Sequence, residues 1–114
     1  MLRIVNVTFD CADPRPLAEF WSRALGYTVK DVTELFAALD PPDESAPHLL
    51  FLKVPEARAA KNRVHVDLAG GDREAEVERL VGLGATRGET RTEYGVTWTV
   101  LHDPEGNELC VAQH

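Results

Sequence analysis

Hydrophobic and polar residues alternate strictly over residues 61–68, just past the middle of the chain. One face of this segment holds three aliphatic side chains, and the other holds His65 and Asp67. A period of two over this length is typical of a half-buried β-strand. We therefore predict a strand from Arg63 to Leu68 whose polar face carries an imidazole and a carboxylate side by side.

A strand predicted over residues 3–10 shows the same alternation, with Asn6 and Thr8 on its polar face. Apolar residues then recur at i, i+3, i+4, i+7 and i+8, which predicts a helix with one apolar stripe. Asp13-Pro14 suits the start of this helix, and Gly26 suits its end. Three short strands are predicted next, over residues 27–31, 35–39 and 48–54.

The second half of the chain repeats this order of elements. Asp72 is predicted to cap a second helix that ends at Leu83-Gly84. On an offset of 59 positions, Asp13 matches Asp72 and Asn6 matches His65. The strands predicted after the second helix cover residues 86–92, 97–102 and 108–112.

This repeat predicts an α+β fold made of two tandem βαβββ modules, about residues 3–54 and 63–112, within a single domain over residues 1–114. The modules are expected to form a cupped mixed sheet with the helices packed on its outer face. The polar strand faces would then line a concavity between the modules.

Composition narrows the functional class. The apolar content of 44% is normal for a globular protein, and no apolar run reaches about 18 residues, the length that a membrane span needs. A net charge of −7 disfavours nucleic acids and anionic membranes as partners, because both attract basic patches. The first residues enter a strand pattern without signal-peptide features, so we expect a cytoplasmic protein in which Cys11 and Cys110 are thiols. A small molecule is the expected partner.

Three stretches of the chain together resemble one known superfamily. They are Asp13-x6-Phe20-Trp21-x3-Leu25-Gly26, Lys61-Asn62-Arg63-Val64-His65-Val66-Asp67-Leu68 and Asp103-Pro104-Glu105-Gly106-Asn107-Glu108-Leu109-Cys110-Val111. In this order they resemble the glyoxalase / bleomycin-resistance / extradiol-dioxygenase superfamily, also called vicinal oxygen chelate proteins, and in particular its divergent glyoxalase-like subgroup. The resemblance implies paired βαβββ modules, frequent homodimers and an active cup between the modules.

The metal-dependent members of this superfamily place ligands at four positions. By resemblance these positions fall on Asn6, around Phe51, on His65 and on Cys110, so only His65 keeps its identity. A catalytic divalent metal needs about three protein ligands and an open position. We therefore expect no resident cofactor, with a divalent metal held partly by His65 as the alternative.

His65 and Asp67 stand two apart on one strand face, which places their Cβ atoms about 7 Å apart. This spacing suits a pair of metal ligands, or a catalytic base with an orienting carboxylate. The alternative is a polar strand face whose hydrogen bonds are satisfied by neighbouring strands. His48 and His102 are candidate third metal ligands, with solvated strand ends as the alternative.

The predicted ligand-binding cup is lined by Asn6, Thr8, His65, Asp67, Trp98 and Cys110. Trp98 would stack against an aromatic ligand, with packing in the core as its alternative role. The first functional hypothesis is a homodimeric small-molecule-binding protein of the glyoxalase / bleomycin-resistance type, whose acidic surface suits a cationic ligand. The alternatives are a metal-dependent lyase, isomerase or dioxygenase that uses His65, and metal-free acid–base catalysis by His65 and Asp67.

Overall fold

The chain forms two compact units, each with one helix and one four-stranded mixed sheet. The structure is a computed structural model that describes residues 1–113. Unit 1 is Met1–Ala59, and unit 2 begins at Ala60. Both units have the order βαβββ, so the predicted α+β fold of two repeated modules is confirmed. Within the described residues, neither helix has the length and apolar character that crossing a membrane requires.

Unit 1 contains β1 (Asn6–Cys11), α1 (Pro14–Leu25), β2 (Thr28–Val32), β3 (Phe36–Asp40) and β4 (His48–Lys53). The strands lie in the order β1-β4-β3-β2, with β1 parallel to β4 and the other pairs antiparallel. The helix α1 packs against β2, β3 and β4. The parallel pair is a consequence of the helical crossover, because a chain that leaves one strand through a helix can return in the same direction.

The helix α1 begins and ends where the sequence pattern predicts. Pro14 occupies its first position, where a missing N–H costs nothing, and Gly26 ends it in the left-handed region with a φ of 73°. Asp13 occupies the N-cap position, but its side chain makes no capping hydrogen bond. The apolar stripe is buried, and Trp21 lies with its ring centroid 5.2 Å from that of Phe9 on β1.

Unit 2 contains β5 (Val66–Ala69), α2 (Arg73–Leu83), β6 (Thr86–Glu93), β7 (Val96–His102) and β8 (Glu108–Gln113). Its strand order, β5-β8-β7-β6, repeats that of unit 1, and β5 is parallel to β8. The side chain of Asp72 caps α2 by accepting a hydrogen bond from the N–H of Ala75 at 2.9 Å. Val77 and Leu80 are the buried residues of α2, whereas Val81 is 42% exposed.

The strand predicted from Arg63 to Leu68 is shorter and later than predicted, because β5 begins only at Val66. Its ladder with β8 starts at the pair Val66 and Leu109. Before that point the N–H of Glu108 donates to the side-chain oxygen of Asn62 at 3.1 Å, and not to a backbone carbonyl. Val64 lies outside the strand and is 81% exposed instead of lying on an apolar face. Of the alternating residues 63–68, only Val66, Asp67 and Leu68 therefore pair in a strand.

One pH-dependent contact lies in unit 1. His48 Nδ1 is 2.9 Å from Asp40 Oδ1, and its Nε2 is 3.2 Å from Glu44 Oε2. Hydrogen bonds to Glu44 and then to Asp40 raise the pKa of His48 above its usual value. The stabilisation is therefore complete below the ordinary histidine pKa and is lost as the pH rises through the raised value.

We expect the urea midpoint of the wild type to exceed that of His48→Gln most at low pH. The difference should shrink as the pH increases from about 5 to about 9, since neutral imidazole no longer attracts the two carboxylates. Equilibrium urea unfolding of both proteins across this range measures it. A difference that is equal at both ends of the range would contradict the assignment.

Candidate functional site

One face of the unit 2 sheet forms the wall of a pocket of about 740 Å³. Alternate residues of a strand point to the same side of its sheet, so two neighbouring strands supply most of the wall. From β7 and β8 the lining residues are Val96, Trp98, Val100, His102, Glu108, Cys110 and Ala112. The half-buried indole of Trp98 thus lies at the pocket and not in a closed core.

Three chemically different side chains meet in this pocket. His65 Nδ1 lies 3.2 Å from Asp67 Oδ1 and 3.9 Å from Cys110 Sγ. The parallel ladder pairs Asp67 on β5 with Cys110 on β8, and His65 directly precedes β5. Potential ligand atoms of the three residues all lie within 4.8 Å of one another. These residues form a group that can hold a metal ion, which we call the His-Asp-Cys cluster.

The thiol of Cys110 is held in its neutral form by its surroundings. Burial raises its pKa to about 11, and the negative charges of Asp67 and Glu108 act in the same direction. A neutral thiol is a poor nucleophile, so Cys110 is not activated by the residues around it. A bound cation would reverse this electrostatic balance, because thiolates are stabilised by metal ions.

Glu108 is an ionised carboxylate with a fixed partner. Its Oε2 accepts a hydrogen bond from Lys61 Nζ at 2.8 Å, and this contact lowers the pKa of Glu108 below its usual value. Its other oxygen lies 3.9 Å from His102 Nε2. The lysine therefore neutralises the glutamate at one side of the pocket, where His102 also lies.

Sequence reasoning missed the contribution of β6 to this site. Glu89 and Arg91 line the pocket and contact each other at 2.8 Å, and the ladder places Arg91 opposite Trp98. Every residue of β6 is exposed, so the strand has no apolar face whose period could show which side chains point inward. Its pairing with β7 was the missing information.

The predicted cup residues divide between the two units. His65, Asp67, Trp98 and Cys110 line the unit 2 pocket. Asn6 and Thr8 are exposed residues of β1 in unit 1. That all six line one cup stays a prediction.

Phe51 belongs to the core of unit 1. It is fully buried, and its ring centroid lies 5.1 Å from that of Phe9. The parallel ladder of unit 1 pairs Thr8 with Leu50, just as that of unit 2 pairs Asp67 with Cys110. Leu50, not Phe51, is therefore the structural counterpart of Cys110. Neither leucine nor phenylalanine offers a metal ligand.

The two other candidate histidines have different surroundings. His48 lies in unit 1 between the carboxylates of Asp40 and Glu44. His102 lines the unit 2 pocket, where it faces Glu108. Neither belongs to the His-Asp-Cys cluster.

Two βαβββ units in tandem define the class of protein as a vicinal oxygen chelate fold. Residues 6–112 match the family model described as a glyoxalase-like domain, so the chain belongs to this family. No curated protein matches the chain.

Solved structures share the fold at low sequence identity. A glyoxalase/bleomycin resistance protein/dioxygenase family enzyme from Burkholderia phytofirmans is 18% identical over 98% of both chains, with a TM-score of 0.79. A possible glyoxalase from Bacillus cereus is 20% identical over 97% of this chain and 98% of its own, with a TM-score of 0.75. Lactoylglutathione lyase from Agrobacterium tumefaciens is 16% identical over 99% and 94%, with a TM-score of 0.72.

Proposed function

We propose that the protein binds a small planar, aromatic and cationic molecule in the unit 2 pocket. The observation that carries this proposal is the half-buried indole of Trp98 in a pocket of about 740 Å³. Pockets for small organic ligands measure roughly 300–1,000 Å³ and combine an apolar wall with a few polar groups. Val96, Val100 and Ala112 supply apolar wall beside the indole.

The charges in the pocket support a cationic ligand. Glu108 is neutralised by Lys61, and Glu89 contacts Arg91. Asp67 faces His65 instead of a lysine or arginine, and its side chain is 68% exposed. A cation stacked on the indole would gain both from this carboxylate and from the electron-rich face of the ring.

Tryptophan fluorescence tests the binding proposal. The chain has two tryptophans, and Trp21 is buried in unit 1, so Trp21→Phe leaves Trp98 as the only reporter. We expect saturable quenching by planar aromatic cations, and weaker quenching by neutral compounds of the same shape. Asp67→Asn should reduce the preference for the cations.

Thermal unfolding provides the matched control. A ligand at 100 times its Kd should stabilise the wild type by about 2.7 kcal/mol, and Trp98→Leu should lose most of that gain. Absence of any stabilisation of the wild type by a panel of aromatic cations would contradict the proposal. So would stabilisation that is unchanged in Trp98→Leu.

The contact between His65 and Asp67 favours a second candidate function, metal-free acid–base catalysis. At 3.2 Å, Asp67 can orient the imidazole and stabilise its protonated form while His65 takes a proton from a bound substrate. His65→Gln would then abolish turnover with ligand binding retained. Binding without turnover would favour a sequestering, bleomycin-resistance-type role.

A third candidate is a metal-dependent lyase, isomerase or dioxygenase, which the His-Asp-Cys cluster favours. A bound metal would supply a Lewis acid that polarises a substrate oxygen. The His-Asp-Cys cluster would hold the ion, and Trp98 would orient the substrate.

We also propose a homodimer that works in the cytoplasm. The superfamily resemblance, which implies frequent homodimers, motivates the dimer, and exposed apolar side chains such as Ile4 and Leu35 of unit 1 are available to an interface. Both cysteines are free, as expected in a reducing compartment. Light scattering after size-exclusion chromatography tests the dimer.

A further inference from the structure

We propose that His65, Asp67 and Cys110 form a mixed nitrogen, oxygen and sulfur site for a zinc-like divalent cation, supplied wholly by unit 2. The inference deepens the metal-dependent candidate function. It differs from what the superfamily resemblance implies, because that resemblance takes ligands from both modules and does not include Asp67. Its first support is the close approach of the three potential ligand atoms, which lie within 4.8 Å of one another.

The observed separations suit a tetrahedral ion. Zinc bonds of about 2.3 Å to sulfur and about 2.0–2.2 Å to nitrogen and oxygen imply ligand–ligand distances of roughly 3.3–3.6 Å. His65 Nδ1 is 3.2 Å from Asp67 Oδ1 and 3.9 Å from Cys110 Sγ. Both distances depart from the tetrahedral value by a few tenths of an ångström. The Asp67 carboxylate and Cys110 Sγ lie within 4.8 Å of each other, and rotation of the exposed Asp67 side chain would bring them to bonding separation.

Paired strands hold two of the three residues in place. Asp67 and Cys110 are direct partners in the parallel ladder of β5 and β8, where neighbouring strands lie about 4.8 Å apart. The third, His65, lies in the segment directly before β5, two residues before Asp67, and both side chains line the same pocket. A site built on paired strands is more precise than one built on loops.

The nearby carboxylates are occupied, which leaves Asp67 as the oxygen ligand. Glu108 accepts from Lys61 at 2.8 Å, and Glu89 accepts from Arg91 at 2.8 Å. Three protein ligands would leave a fourth position for water or substrate, and Trp98 lines the same pocket. Three ligands and one open position are the composition of catalytic zinc sites.

The sulfur ligand sets the metal preference. Thiolate and imidazole favour zinc and cobalt over magnesium and calcium, which prefer all-oxygen sites. We therefore expect Zn²⁺ and Co²⁺ to bind, and Mg²⁺ to bind far more weakly. Cobalt is the useful probe, because its bond to a thiolate produces a sulfur-to-cobalt charge-transfer absorption.

The experiment titrates the full-length, metal-free protein with Co²⁺ alone. We expect a charge-transfer band that saturates at about one Co²⁺ per chain and disappears on addition of Zn²⁺. Cys110→Ser should abolish the band, whereas His65→Gln and Asp67→Asn should each weaken Co²⁺ binding by about tenfold or more. Far-ultraviolet circular dichroism checks that each variant is folded.

Two control variants remove the same chemical groups elsewhere. Cys11→Ala deletes the other thiol, which lies in unit 1 with its Sγ donating to the carbonyl of Leu52 at 3.5 Å. Glu89→Gln deletes a pocket carboxylate that is paired with Arg91. Both should keep the band and the affinity of the wild type.

Several results would overturn the proposal. Absence of the charge-transfer band in the wild type would be sufficient to overturn it, even if no variant folds. A band that persists in Cys110→Ser or vanishes in Cys11→Ala does so as well. Unchanged Co²⁺ affinity in Asp67→Asn would show that Asp67 is not a ligand, which contradicts the three-ligand site. Because the probe is the metal alone, none of these outcomes bears on binding of an aromatic cation at Trp98.

Discussion

Substitution of Phe51 by alanine is expected to lower the free energy of unfolding by about 3–5 kcal/mol. The side chain is fully buried in unit 1, and its ring lies against Phe9 at a centroid distance of 5.1 Å. Truncation removes the aromatic contact and leaves a cavity that strands paired on both sides of β4 cannot close. Urea unfolding followed by circular dichroism measures the loss. Since small domains are stable by about 5–15 kcal/mol in total, the effect should be unmistakable.

The matched control for this prediction is Leu52→Ala on the same strand. Leu52 is 37% exposed on the opposite face of β4, so its truncation should cost about 1 kcal/mol or less. Equal losses for the two variants would contradict the placement of Phe51 in the core. A small loss in Phe51→Ala would instead indicate that the position is open.

Replacement of Asp103 by alanine should cost about 3 kcal/mol. The carboxylate is 3% exposed and organises the turn before β8. Its Oδ1 accepts from the N–H groups of Glu105 and Asn107 at 2.9 and 3.0 Å, and its Oδ2 accepts from Asn107 Nδ2 at 2.9 Å. Alanine would leave all three donors without this acceptor. The urea midpoint of the variant measures the effect.

Asp72→Ala is the comparison variant for Asp103, because it removes a carboxylate with one such bond. Loss of this helix cap, which accepts from Ala75 at 2.9 Å, should cost about 1 kcal/mol. We expect Asp103→Asn to retain part of the wild-type stability, since the amide oxygen can still accept. A smaller loss in Asp103→Ala than in Asp72→Ala would show that the turn does not depend on its carboxylate.

Local patterns were sufficient for the elements whose two faces differ. The apolar stripe and the Pro14 and Gly26 signals of α1 are read from neighbouring positions, and the structure has the helix at Pro14–Leu25. The same is true of β8, where Glu108, Cys110 and Ala112 share the pocket face. Each depends only on backbone geometry within one element, which repeats at 3.6 or 2 residues.

Patterns failed where pairing decides the outcome. Residues 63–65 alternate like a strand, yet β5 begins at Val66, and the N–H of Glu108 bonds to the side chain of Asn62. The uniformly exposed β6 offered no pattern, although its Glu89 and Arg91 line the pocket. Both outcomes depend on pairing with a neighbouring strand, β8 for the start of β5 and β7 for the facing of β6.

By itself the sequence determined that the chain repeats a βαβββ module and that His65 and Asp67 point to the same side of the chain. It did not determine what lies opposite these side chains. Only the parallel ladder placed Cys110, 45 positions from His65, beside the histidine and carboxylate, and put Leu50 instead of Phe51 at the corresponding point of unit 1. Strand register depends on which of many non-local pairings is most stable, and a shift of one residue exchanges the two faces of a strand. The possible metal ligands of this protein were therefore chosen by tertiary structure.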